Sequence, residues 1–291
     1  MTTDVSYERT QRELETSLGV LRYHEAGEGP PLLLLHGSGP GVTGWRNYRG
    51  VLADLAAHFR CLVLEFPGFG VSDPAEGHPM VMAQSAVGHF LDGLGLGAVD
   101  MIGNSMGGII ATKVAIDEPE RVGKLVTIGG MGKSIFSSGP SEGIKLLMEF
   151  TDDPTRERLI RWLLSMVHDQ ALVTPELIEE RWALATEPTT LEIARRMYSS
   201  KAFAASMAAA AASDVPPYWA RLGKITAPTL LTWGRDDRVS PVDMAVLPMR
   251  DIPNAELHVF PKCGHWTMIE AREAWLCAVL AFLTRTDRTQ R

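Results

Sequence analysis

Short apolar runs rich in branched side chains recur along the chain at residues 32–35, 61–65, 99–102, 125–128, 229–233 and 257–260. Runs of four or five residues without polar alternation have the length and composition of strands buried on both faces. Between them, apolar residues fall at helical spacing over 48–57, 80–94, 105–117 and 271–283. Strand alternating with helix in this way predicts a mostly parallel, doubly wound sheet of the α/β class. Residues 18–25 alternate loosely and precede the glycine-proline turn at 27–31, so they read as a further strand at an antiparallel edge.

From 133 to 212 the alternation stops. This stretch has helix-like segments punctuated by Pro140, Pro154, Pro175 and Pro188, and no convincing strand. The strand pattern resumes after Ile225-Thr226-Ala227-Pro228. The expected organisation is therefore a core in two pieces, 1–132 and 216–291, with a helical lid at 133–215 inserted between core strands over their C-terminal ends. Alanine is the strongest helix former, so the alanine-rich piece at 202–212 is expected to be a packed lid helix.

Composition narrows the function. A chain of 291 residues, 45% hydrophobic, can bury one substantial core. Its net charge of -7 comes without a polybasic run, which argues against nucleic acid and anionic membranes as partners. Three scattered cysteines, Cys61, Cys263 and Cys277, are too few for a disulfide framework or a thiolate metal site and suit a reducing compartment. The polar, acidic start differs from a secretory leader, and no apolar stretch reaches membrane-spanning length. A cytoplasmic protein is expected.

The run at 99–102 leads into Gly103-Asn104-Ser105-Met106-Gly107-Gly108 and then into the helical stretch. Strand, G-x-S-x-G and helix in that order describe a sharp turn that presents a serine hydroxyl at the sheet's C-terminal edge, with helix amides aimed at developing negative charge. A serine hydroxyl needs a base, and the base needs an anion to fix its tautomer. Both follow downstream, in Gly234-Arg235-Asp236-Asp237-Arg238 and in Lys262-Cys263-Gly264-His265-Trp266, each just after a strand. The order Ser, Asp, His is that of α/β-hydrolases. Spacing leaves Asp236 and Asp237 both open as the acid. His58, His78, His89 and His168 read as surface or lid residues, and His36 as a brace for the turn it begins. The segment after His36 should supply the second oxyanion donor, so the amides of Ser38 and Met106 are the expected pair. Ser38 adds a hydroxyl that an ordinary esterase usually lacks there.

Four segments together resemble the meta-cleavage product hydrolases. They are His36-Gly37-Ser38-Gly39-Pro40-Gly41-Val42-Thr43-Gly44-Trp45-Arg46-Asn47, the Ser105 turn, Trp233-Gly234-Arg235-Asp236-Asp237-Arg238 and Cys263-Gly264-His265-Trp266. The resemblance spans nearly the whole chain and implies an α/β-hydrolase fold. It also implies cleavage of a carbon-carbon bond in a 2-hydroxy-6-oxohexa-2,4-dienoate. It favours Asp237 as the acid, through the family's Gly-x-x-Asp pattern. It further implies Arg181, Asn47, Asn104 and Trp266, with Gly37 and Gly39, as the residues around the substrate, and a homo-oligomer, a dimer or larger. Either Ser105 or a water activated by His265 would attack. Glu65-Phe66-Pro67-Gly68 departs from the family, in which aspartate is commoner at the first position; loop bracing is the expected consequence. Small side chains in the alanine-rich helix are expected to leave a roomy pocket for a bulky ketone substituent.

The competing readings are a serine esterase or lactonase, which needs only the triad, and a noncatalytic small-molecule receptor on the same scaffold. A dehalogenase would want a carboxylate at position 105. No phosphate loop or dinucleotide loop is present, since the glycines at 93–97 follow a helix instead of opening one, and no cofactor or metal is expected.

Overall fold

The computed structural model describes residues 5–286. Among these, eight strands form one sheet: β1 (Gln11–Thr16), β2 (Gly19–Ala26), β3 (Pro31–Leu35), β4 (Arg60–Leu64), β5 (Val99–Asn104), β6 (Val122–Ile128), β7 (Thr229–Gly234) and β8 (Ala255–Phe260). Their order is β1-β2-β4-β3-β5-β6-β7-β8. β1 pairs antiparallel with β2, and β2 with β4; all later pairings are parallel. The longer helices are α1 (Pro79–Gly93), α2 (Met106–Asp117), α3 (Glu142–Asp152), α4 (Arg156–Met166), α5 (Pro175–Ala185), α6 (Pro188–Tyr198), α7 (Ser200–Ala212) and α8 (Arg272–Thr284). None of the described helices is long and apolar enough to cross a membrane.

The continuous apolar runs are explained by cover on both faces. On one face Leu33, Leu35, Leu62 and Leu64 pack with Phe90 of α1 and Ile110 of α2. On the other, Leu32, Leu34, Cys61 and Val63 pack with Trp275 of α8 and with Phe150 and Trp162 of the inserted helices. Alternate residues of one strand thus enter opposite cores, as a period of two requires. Each fully buried leucine contributes roughly 1.5–3 kcal/mol over leaving it exposed.

Helices α3 to α7 are inserted between β6 and β7. The prolines that break the sequence pattern mark their starts: Pro175 and Pro188 open α5 and α6, where a missing N–H costs nothing. Thr155 and Thr174 cap the first turns of α4 and α5 by accepting a backbone N–H.

Three expectations are corrected. The strand at 18–25 is β2, but it is second from the edge; β1 lies outside it, paired through Gln11↔His24 to Thr16↔Gly19. The helix expected over 48–57 is two short ones, Gly44–Tyr48 and Leu52–Ala56, separated where Val51 leaves helical geometry (φ -125°, ψ -7°) after Gly50. The alanine-rich piece is helical, as α7, yet it buries no residue. Alanine's propensity fixed its secondary structure, while its methyl side chains give it little apolar surface to dock.

Candidate active site

Ser105 stands between β5 and α2 at φ 50° and ψ -112°, a backbone region that costs a non-glycine residue on the order of 1–3 kcal/mol. The neighbouring glycines make the turn possible. A Cβ on Gly107 would fall 2.1 Å from the Leu35 carbonyl oxygen, and one on Gly103 would fall 2.4 Å from the Gly107 carbonyl carbon. The Ser105 amide donates to the Ile128 carbonyl at 2.9 Å, which ties the turn to β6. Because β3 and β5 are neighbours in the sheet, the loop after β3 runs beside the serine; a Cβ on Gly37 would lie 3.6 Å from Ser105 Cβ. Strand order reverses between these strands, which is where open α/β sheets bind ligands.

His265 Nδ1 donates to Asp237 Oδ2 at 2.7 Å, and both side chains are buried. Asp237 Oδ1 accepts the amides of Val239 and Ser240, each at 2.8 Å. Asp236 instead faces outward, pairing with Arg235 and with His168 at 3.4 Å. The geometry thus separates two carboxylates that spacing left equal. The His265 loop is held from two sides. Its amide donates to Met166 of α4 at 2.7 Å, and Glu270, a residue sequence reasoning missed, accepts the amides of Gly264, His168 and Asp169.

In the loop after β3, His36 is fully buried and braces the turn as expected: Nδ1 donates to Gly37 O, and Nε2 accepts the Phe66 amide at 3.0 Å. Burial lowers its pKa to about 4, so the imidazole is neutral. The Gly37 amide is taken by Asn47 Oδ1 at 2.9 Å. Asn47 therefore shapes this loop, and Gly37 has no free N–H for an oxyanion. Ser38 and Met106 carry the remaining amides in question; Met106 is the first residue of α2, so its N–H has no acceptor within the helix. The Ser38 hydroxyl is hydrogen-bonded to that of Tyr198 at the end of α6. No sequence signal marks Tyr198, which is 160 residues away.

Glu65 sits just past β4, and its carboxylate accepts the amides of Gly44 at 2.6 Å and Trp45 at 3.0 Å. This is the loop-bracing role expected of the residue at this position. Burial, partly offset by those amides and by Arg46, raises its pKa from 4.5 to about 7. The folded state therefore binds this proton more tightly than the unfolded chain does. Its contribution to stability is complete below about pH 4.5 and is lost as pH rises through about 7. Glu65→Gln should flatten the fall in Tm between those values; an unchanged slope in thermal denaturation across that range would contradict it.

Two cavities meet here. The inner one, about 40 Å³, is lined by Ser38, Asn104, Ser105, His265, Trp162 and Tyr198 among others. The outer one, about 690 Å³, is lined by Arg46, Arg49, Asn47, Leu172, Leu177 and Glu180 among others. Val42, Arg181 and Trp266 line both. No residue of α7 lines either cavity, which overturns the expectation that its small side chains open the pocket. Arg181, on α5, is buried, donates to Pro40 O at 3.3 Å and lies 5.6 Å from the Trp266 ring centre. No carboxylate among the described residues pairs with it. Burial, and secondarily Arg46 and Arg49, lower its pKa to about 10, which still leaves it charged at neutral pH. Asn104, buried beside Ser105, donates through Nδ2 to Ile128 O at 3.1 Å. Among the described residues no cluster of three metal-ligating side chains occurs, and all three cysteines are free.

Comparison with known proteins bears on the fold and the family. A sequence model of the Alpha/beta hydrolase family matches residues 32–279. The chain is 40% identical over 279 residues to a 2-hydroxy-6-oxo-6-phenylhexa-2,4-dienoate hydrolase of Burkholderia cepacia, covering 92% of this chain and 93% of that one. It is 40% identical over 278 residues to a 2-hydroxy-6-oxononadienedioate/2-hydroxy-6-oxononatrienedioate hydrolase of Comamonas testosteroni, with the same coverage of 92% and 93%. Among solved structures it resembles a meta-cleavage product hydrolase from Pseudomonas fluorescens IP01, with a TM-score of 0.84 at 28% identity, covering 95% of this chain and 98% of that one.

Proposed function

From the premise that this chain belongs to the alpha/beta hydrolase family, we propose that it is a meta-cleavage product hydrolase. It cleaves a 2-hydroxy-6-oxohexa-2,4-dienoate to 2-hydroxypenta-2,4-dienoate and a carboxylic acid. The observation that carries this reading beyond a generic esterase is Arg181, a buried guanidinium without a carboxylate partner at the edge of the cavity that holds Ser105 and His265. A permanent planar cation in that position suits a substrate carboxylate and its neighbouring oxygen, which it can hold through paired donors.

The chemistry requires such a clamp. Expelling a carbanion is too costly unless its charge delocalises. Protonating the dienol at C5 while its 2-hydroxyl becomes a ketone creates that sink. Ser105 then attacks the C6 ketone as His265 Nε2 takes its proton, and the Ser38 and Met106 amides receive the oxyanion. The C5–C6 bond breaks, its electron pair moves through the conjugated chain to the 2-oxygen, which receives the proton carried by His265, and the 2-hydroxydienoate leaves with the imidazole neutral again. Water activated by His265 then releases the acyl group from Ser105. Asn104 holds the turn beside the serine, and the Trp266 ring faces the Arg181 guanidinium at cation-π distance and borders its approach.

Stopped-flow loss of the yellow dienolate absorbance, run beside hydrolysis of p-nitrophenyl acetate, tests the reading. Fast bleaching with slow ester turnover is the expected result; ester turnover without bleaching would return the protein to the esterases. Arg181→Gln should lower kcat/KM for the dienoate by on the order of 100-fold, while ester turnover changes little. Equal losses on both substrates would remove the clamp.

A further inference from the structure

The inner cavity has two chemically different ends. Arg181, Trp266 and Val42 form the end shared with the outer cavity, whereas Ile144, Leu147, Trp162, Met166 and Val239 line the inner cavity alone. This second wall comes from α3, α4 and the loop just after Asp237, and it contains no charged side chain. With the dienoate carboxylate at Arg181 and the ketone carbon at Ser105, the ketone's substituent is left to this wall.

Trp162 is the exception to its apolar character. The residue is 2% exposed, and its indole Nε1 is buried with no acceptor among the described residues. Its six-membered ring abuts Gly39, since a Cβ there would fall 2.4 Å from Cη2 and 2.8 Å from Cζ2. Cζ2 is bonded to the carbon that carries Nε1, so the N–H lies on the edge of the ring next to that contact, beside the loop after β3. A buried donor without a partner forgoes the hydrogen bond that water gives it in the unfolded chain. An acceptor on a ligand would recover it.

A carboxylate substituent would fare differently. Against this wall it would lose its hydration and meet one neutral donor and no cation, so its charge would be left uncompensated. Resting on the carbon-carbon hydrolase reading, we infer that the preferred substrate carries an uncharged, mostly apolar ketone substituent with one hydrogen-bond acceptor, an oxygen-bearing aryl ring being the type. Trp162 is the residue that selects it.

The experiment compares kcat/KM for three 2-hydroxy-6-oxohexa-2,4-dienoates bearing phenyl, 2-hydroxyphenyl or 2-carboxyethyl at C6, with the wild-type protein and with Trp162→Phe. The wild type should use the 2-carboxyethyl substrate on the order of 100-fold less well than the phenyl one. Trp162→Phe should lose about 10-fold more on 2-hydroxyphenyl than on phenyl, because the packing lost with the larger ring weighs on both substrates and the lost donor only on the one with an acceptor. Wild-type turnover of the 2-carboxyethyl substrate equal to that of phenyl overturns the inference, and this ranking needs no variant to fold. A Trp162→Phe loss equal on all three substrates overturns it too, by moving the donor's role to the common part of the substrate. Failure of the wild type to bleach any of the three would instead remove the carbon-carbon hydrolase reading itself.

Discussion

Ser105→Ala is expected to lower kcat on the dienoate by on the order of 10³- to 10⁶-fold, with Tm changed little. The hydroxyl is the attacking group in the proposed reaction, and nothing else at the turn can replace it: the residues at 103 and 107 are glycines whose Cβ positions are occupied by backbone. Alanine suffers the same backbone geometry as serine at φ 50°, so the substitution removes the nucleophile without relieving or adding strain. Dienoate binding should survive, because Arg181 and Trp266 are untouched. Stopped-flow mixing should therefore show a spectral change on binding followed by almost no bleaching. Bleaching within tenfold of the wild-type rate would transfer the attack to a water and leave Ser105 a supporting role.

Asp237→Asn should cost on the order of 10⁴ in kcat, whereas Asp236→Asn should cost less than about tenfold. The hydrogen bonds around Asp237 supply the reason. Its Oδ1 accepts two backbone amides, from Val239 and Ser240, so an asparagine must turn its carbonyl oxygen to them. Its NH2 group then points at His265 Nδ1, which must become an acceptor, and the ring proton moves to Nε2. That tautomer cannot take a proton from Ser105. Asp236 pairs with His168 and Arg235 on the outside of the loop, and surface ion pairs of that kind contribute little. Steady-state kinetics of both variants decides the matter; equal losses would show that loop integrity, and not the tautomer, is what the pair provides.

The parallel core could be read from residue pattern alone. Runs such as Leu32 to Leu35 are buried on both faces, so they carry an unbroken apolar signal that needs no knowledge of partners, and glycine at 103 and 107 announces a turn whatever surrounds it. The helical insertion was legible for a related reason, since prolines and capping residues act on their own helix starts. Signals failed where burial was partial or partners were distant. β1 is mostly polar, with no fully buried residue, so no alternation reveals it. α7 has strong local propensity but little apolar surface to dock and buries no residue, and propensity says nothing about packing. In the candidate site, Ser105 and His265 lie in motifs, but the sequence spacing of Asp236 and Asp237 is blind to which side of a loop faces inward. Only the tertiary structure set Asp237 against His265, committed Asn47 to the Gly37 amide, and brought Tyr198 to Ser38 across 160 residues. It also made a specificity wall of Ile144, Leu147, Trp162 and Met166, which as helical apolar residues are indistinguishable from core. A cavity is a property of several segments at once, and the pattern within any one of them does not encode it.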